Sequence, residues 1–93
     1  MTRQEAAEIT ALQALGWLVA QPDEVGGFLN ATGAATSDLA QAAQDPRFLA
    51  ALMDYILETD ARVLACAADL GLPPTALAEA RIGLPGGQDP HWT

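Results

Sequence analysis

Four groups of residues in this chain have types and spacings that could do chemistry. The segment Ala67–Leu77 places Ala67, Gly71 and Leu77 at the spacing of a helix-turn-helix, in which a small residue lets two helices approach, Gly makes the turn and an aliphatic packs between them. Its second helix, however, offers only Thr75 and Arg81 as contacts to DNA, and Glu79 would face the phosphates. A structural helical corner is the preferred reading of the segment. Cys66 has Arg62 one turn away but lacks a nearby His to generate the thiolate, so a buried small hydrophobe is expected there. Asp54, Glu58 and Asp60 could do acid/base work only if burial separated their proton affinities. They fall on the side of their helices away from the apolar stripe, where solvent is expected, although a basic patch on a partner could use them. His91, with Asp89 beside it, supplies two potential metal ligands, short of a zinc site. No catalytic residue, metal or cofactor is expected.

Two Trp residues lack so simple a reading. Trp17 falls on the opposite side of its helix from Ile9, Leu12, Leu15, Gly16 and Val19, while Trp92 stands next to the last residue. Either the tail folds back so that Trp92 covers Trp17, or the tail or the Trp17 patch receives a partner, since Trp is enriched at binding hot spots. Trp17, His91 and Trp92 are therefore the candidate interaction surface.

The elements that must position these residues are helical. Ala and Leu dominate, and no stretch alternates apolar with polar residues as a strand would. Thr2 with Glu5 predicts a capping box that opens a first helix to about Ala20, stopped by Pro22. This helix is apolar on both sides, which makes it either central in its bundle or the bearer of a second docking surface. A second helix is predicted from Pro22 to about Asn30 with a left-handed stop at Gly33, and a brief third from Ser37 to Ala43. Asp45-Pro46 starts a fourth, with Phe48, Leu49, Leu52, Tyr55 and Ile56 inward and Arg47, Ala50, Asp54 and Glu58 outward. Thr59 is read as the cap of a fifth helix, with a single kinked helix as the alternative. The fifth helix is expected to bury Val63, Leu64, Ala67 and Leu70 and to end at Gly71 in a Schellman stop. A sixth, opened by Pro73-Pro74, carries Leu77 and Ala80 to Gly83. The expectation is an all-α, compact orthogonal bundle of five or six short helices forming one domain over residues 1–93, with an irregular tail from 85 to 93.

Composition limits the function classes. Twelve acidic residues against four Arg and no Lys give a net charge of −8, which opposes binding to nucleic acid or to anionic lipid. No apolar run approaches the roughly 18–20 residues of a membrane span. One Cys rules out an intramolecular disulfide, and Glu5 and Glu8 stand where a secretory leader would be basic and then apolar. A cytoplasmic protein is expected.

Ala11-Leu-Gln-Ala-Leu-Gly-Trp-Leu18, Phe28-Leu29, Asp45-Pro46 with Phe48-Leu49, Gly71-Leu72-Pro73, and Leu84-Pro-Gly-Gly87 with terminal His91-Trp92-Thr93 resemble a small, mainly alphaproteobacterial family of uncharacterised helical proteins of about the same length. The resemblance covers nearly the whole chain and implies a compact helical cytoplasmic protein without assigned activity, cofactor or site residues. The resulting expectation is a small acidic protein-protein interaction or regulatory module, not an enzyme, acting on an unknown protein partner or by self-association. The alternative is a helix-turn-helix nucleic-acid binder using residues 67–82.

Overall fold

Local capping chemistry sets most helix ends. At the start of the chain the Glu5 N–H donates to Thr2 Oγ1 at 3.0 Å, and the Thr2 N–H donates to Glu5 Oε1 at 2.9 Å. The hydrogen bond from the Thr2 backbone, then that from its side chain, holds the Glu5 carboxyl below its ordinary value of 4.5. This reciprocal box opens α1, Arg3–Val19. Pro22 sits in the first turn of α2, Pro22–Thr32, which closes on Gly33 at φ 75°. The computed structural model describes residues 1–33 and 35–85. A 3₁₀ turn, Thr36–Asp38, leads into the single-turn α3, Leu39–Ala42, in place of one continuous short helix. Asp45 accepts from the Arg47 N–H at 2.9 Å and starts α4, Pro46–Leu57. Thr59 Oγ1 accepts from the Arg62 N–H at 3.1 Å, so α5, Asp60–Leu70, is a separate helix and not the continuation of α4. Gly71, at φ 70°, donates to Ala68 O at 3.3 Å and Leu72 donates to Ala67 O at 2.9 Å, completing the Schellman stop. The last helix is α6, Thr75–Ile82. The fold is an all-α bundle, with no strand among the described residues.

α1 is the axle of the bundle, packing against α2, α4, α5 and α6 and most extensively against α6 and α4. Its core side is not the one with the larger aliphatics. Ala7, Ala11, Ala14, Leu15, Trp17 and Leu18 are buried, whereas Ile9, Leu12 and Val19 remain 46, 44 and 46% exposed. Of the five residues on the aliphatic stripe, Leu15 alone is buried. The reason is steric. Methyl-sized side chains let neighbouring backbones close on α1: a Cβ placed on Gly83 would lie 2.8 Å from Ala7 Cβ and 3.2 Å from the Arg3 carbonyl. Close backbone approach brings many atoms of the neighbouring helices into dispersion contact at once, which a face of Ile and Leu would prevent.

The remaining core follows the predicted faces with two corrections. In α4, Leu49, Leu52, Met53 and Ile56 are buried, and Ala50 joins them although its position was read as outward. In α5, Cys66 and Ala67 are buried and Val63 and Leu70 pack at the margin, while Leu64 is 58% exposed. α5 touches its neighbours along a narrow strip of small residues, and Leu64 lies outside it. Fully buried Phe28 from α2 makes edge-on contacts with Phe48 and Tyr55 of α4, at centroid distances of 5.5 and 5.4 Å.

The inverted face of α1 has a direct mutational signature. Ala11→Leu should cost about 1–3 kcal/mol by overpacking. Leu12→Gln, one residue on, should cost less than about 1 kcal/mol because the side chain is already half in solvent. Chemical denaturation at low micromolar concentration measures both, and equal losses would contradict this packing.

Candidate functional site

Trp17 leaves α1 near its C-terminal end on the side facing α5. It is 8% exposed, and its indole N–H donates to Asp69 Oδ2 at 2.7 Å across 52 residues of sequence. The described residues alone therefore bury this ring. The same region holds Arg62, whose Nε donates to Glu24 Oε2 at 2.7 Å and whose Nη1 donates to the Tyr55 carbonyl at 3.0 Å and to Glu58 Oε1 at 3.4 Å. The guanidinium carbon lies 4.0 Å from the Tyr55 ring centroid, a cation–π stack. Partial desolvation disfavours the Arg62 charge, but the hydrogen bond to Glu24, reinforced by electrostatic interaction with Tyr55 and Glu24, raises its pKa overall. Tyr55 is placed in turn by Gly27. A Cβ there would lie 2.6 Å from Tyr55 Oη, so the missing side chain lets the phenol reach α2 and donate to the Glu24 carbonyl at 3.4 Å.

Between these groups runs an open groove of about 480 Å³, lined by Trp17, Gln21, Glu24, Thr59, Ala61, Arg62 and Ala65. Trp17, Ala61 and Ala65 give it an apolar strip. Glu24 and Arg62 fix one wall by their mutual ion pair, and Glu58 and Asp69 reach its surroundings through their bonds to Arg62 and Trp17. A second, smaller groove of about 270 Å³ lies between α1 and α6, with Arg3, Thr10 and Glu79 around a strip of Ala side chains.

The structure separates the other residues singled out by type. Cys66 is fully buried; desolvation, then the nearby Asp69 charge, pushes its thiol up to about 11. Asp54, Glu58 and Asp60 are exposed, but they do not act as one cluster. Asp54 pairs with Arg81 at 2.6 Å, Glu58 pairs with Arg62, and Asp60 lies in the first turn of α5, where the helix dipole favours an acid. The α5–turn–α6 corner is built as its Ala–Gly–Leu spacing requires, with Ala67 and Leu77 buried on either side of Gly71. Arg81, the cation that the corner would offer to a phosphate, grips Asp54 through Nε and Nη2 and the Pro85 carbonyl through Nη1. No three His, Cys, Asp or Glu residues among those described come together as a metal site. No helix among the described residues is long and apolar enough to cross a membrane. His91 and Trp92, with most of the expected tail, lie outside the described residues.

Residues 4–87 match a family described as "Protein of unknown function (DUF3572)". The chain belongs to this family. Neither curated proteins nor solved structures give a match. Membership in this unknown-function family accounts for nearly all of the helical region and assigns no role to any residue.

Sequence reasoning singles out Trp17 but not the groups that surround it. Arg62 enters there only as a neighbour of Cys66 and Tyr55 only as an inward residue of the fourth helix, and neither Glu24 nor Asp69 is singled out as a site residue. Their partners lie 38, 31 and 52 residues away, beyond any local pattern. The doublet Gly26-Gly27 inside an otherwise regular helix was the one available signal of a close approach.

Two outcomes test this geometry. Iodoacetamide should label Cys66 in the native chain at pH 8 at least ~100-fold more slowly than in denaturant, because both thiolate formation and access are suppressed. Asp69→Leu should cost about 1–2 kcal/mol and shift the Trp17 emission, whereas Asp69→Asn keeps an acceptor and should lose less. Equal effects of the two substitutions would remove the hydrogen bond from the account.

Proposed function

We propose that this chain is a small acidic interaction module of the cytoplasm, without catalytic activity, that acts by docking a segment of another protein. The observation that carries the proposal is the groove over Trp17. Trp, Tyr and Arg are the residue types that concentrate binding energy in protein interfaces, and here all three are adjacent and held by bonds already made in the free chain. A pre-fixed wall avoids part of the ordering cost that binding otherwise incurs. The apolar strip of Trp17, Ala61 and Ala65 suits one apolar anchor side chain. The carboxylates of Glu24, Glu58 and Asp69 around a single Arg62 favour a basic flank on that anchor.

The engagement of Arg81 by Asp54 supports this reading over nucleic-acid binding, because a phosphate would have to displace a two-pronged carboxylate on a chain of charge −8. A regulatory role is consistent with a module that binds and does no chemistry of its own.

Affinity purification of the tagged chain from its own cells should retrieve a stoichiometric protein partner. Ala65→Arg, at an exposed groove position, should reduce retrieval at least ~10-fold while leaving the circular dichroism and thermal midpoint unchanged. Absence of a stoichiometric partner, or retrieval that Ala65→Arg leaves intact, would refute the docking role of the groove.

A further inference from the structure

Resting on the docking role of the groove over Trp17, we infer that the segment it takes is an amphipathic helix with two basic side chains seven residues apart and an apolar one between them. The groove follows one stripe of α5. Arg62, Ala65 and Asp69 lie within about 60° of arc around that helix, and Arg62 and Asp69 are separated by about 10.5 Å of rise. Glu24 and Glu58 stand at the Arg62 end, both bonded to its guanidinium. Asp69 stands at the other end and holds the Trp17 indole. Trp17 and Ala65 occupy the interval between them.

Charge sets what the occupant carries. At the first end two carboxylates face one guanidinium, which leaves a single negative charge over. At the second, Asp69 is bonded to a neutral indole, and no cation among the described residues pairs with it. Each end therefore takes one cation, and the strip between them takes an apolar side chain. Neither existing bond has to break. Glu24 uses Oε2 for Arg62 and Asp69 uses Oδ2 for Trp17, so each keeps a second oxygen as an acceptor. The Glu24 and Arg62 side chains are 33 and 21% exposed and form the wall, while Glu58 at 65% is open to an incoming cation.

Spacing sets how the occupant is folded. A helix lying along α5 has the same rise as α5 itself. Its residues i and i+7 are about 10.5 Å apart and point within about 20° of each other, so they meet both ends of the groove at once. Residue i+3 or i+4 then falls over Ala65. In an extended segment, residues on one face recur at about 6.6 and 13.2 Å, and neither interval matches. Ala61 and Ala65 are exposed and short, which lets a second helix axis come within the roughly 8–10 Å of ordinary helix packing.

The test is calorimetric titration of the full chain with four helix-biased peptides of about 18 residues, long enough to hold a helix, carrying Lys at i and i+7 and Leu, Ile, Met or Phe at i+4. At least one should bind ~10-fold or more tightly than its isomer with the second Lys at i+5, which has the same composition but turns that charge about 140° away. Asp69→Asn keeps the acceptor for Trp17 and removes the charge, so it should weaken the i, i+7 peptide at least ~5-fold and leave the i+5 isomer unchanged. A Pro placed between the two Lys should abolish the preference by breaking the helix. Four results would each overturn the inference: no binding of any peptide up to about 1 mM, equal affinity for the two registers, affinity that Asp69→Asn or the Pro leaves intact, or displacement by an equal concentration of spermidine, a polycation without a helix. A cellular partner whose retrieval depends on Ala65 but whose bound segment lacks this pattern would overturn the helix and leave the docking role standing. Retrieval indifferent to Ala65→Arg would remove the groove itself.

Discussion

The distance at which other helices can approach α1 governs this fold. Ala7, Ala11 and Ala14 present methyl groups along one side of the longest helix, and α4 and α6 press against that side closely enough that Gly83 has no room for a side chain. Once α1 is held this way, Leu18, Leu49, Leu52, Met53, Ile56 and Leu77 fill the spaces between axes and are fully or almost fully enclosed. Larger residues on the core side of α1 would push the neighbouring axes outward and open voids around all of them. The apolar area lost by burying Ala in place of Ile or Leu is offset by dispersion contacts made by whole helices, not single side chains.

The same constraint accounts for two features of the surface. Because the small-residue side faces inward, the larger aliphatics of α1, Ile9, Leu12 and Val19, are left facing outward. Because α5 packs along a narrow strip of small residues, Ala61 and Ala65 line an open trough beside Trp17 and are not covered. The polar bonds of that region run between elements: Trp17 to Asp69, Arg62 to Glu24 and to the Tyr55 carbonyl, and Tyr55 to the Glu24 backbone. They tie α1, α2, α4 and α5 together where the aromatic cluster around Phe28 ends. A site assembled from four helices has its geometry set by the core beneath it, and little of it moves independently.

How much of this was legible in the sequence depends on how far apart the interacting residues are. Caps and stops act over three to six residues, so Thr2 with Glu5, Asp45, Thr59, Gly33 and Gly71 announced nearly every helix boundary. The buried face of α4 was legible because its two sides differ in polarity. α1 has apolar residues all round, and periodicity alone cannot rank an Ala side against an Ile-Leu-Val side; side-chain volume decides, and only in the presence of the neighbouring helices. Ala50 and Leu64 were misplaced for the same reason, small and large aliphatics being equal in a pattern of apolar positions. Among the site residues, Trp17 stood out by its rarity and its position off the main stripe. Its bonded partner, and the pairing of Arg62 with Glu24, depend on tertiary contacts for which no local pattern exists.

The contact between Gly83 and Ala7 also bears on how the chain is made. α1 leaves the ribosome before the other helices, yet α6, one of its two principal partners, is the last to be synthesised. At about 5–20 residues per second, the interval between the appearance of residue 7 and residue 83 is roughly 4–15 s. During that time the alanine side of α1 lacks the cover of α6, and its aliphatic side stays exposed even beside the other described helices. Translation speed, and whatever shelters a nascent helix that is apolar on both sides, therefore bear directly on the yield of folded protein.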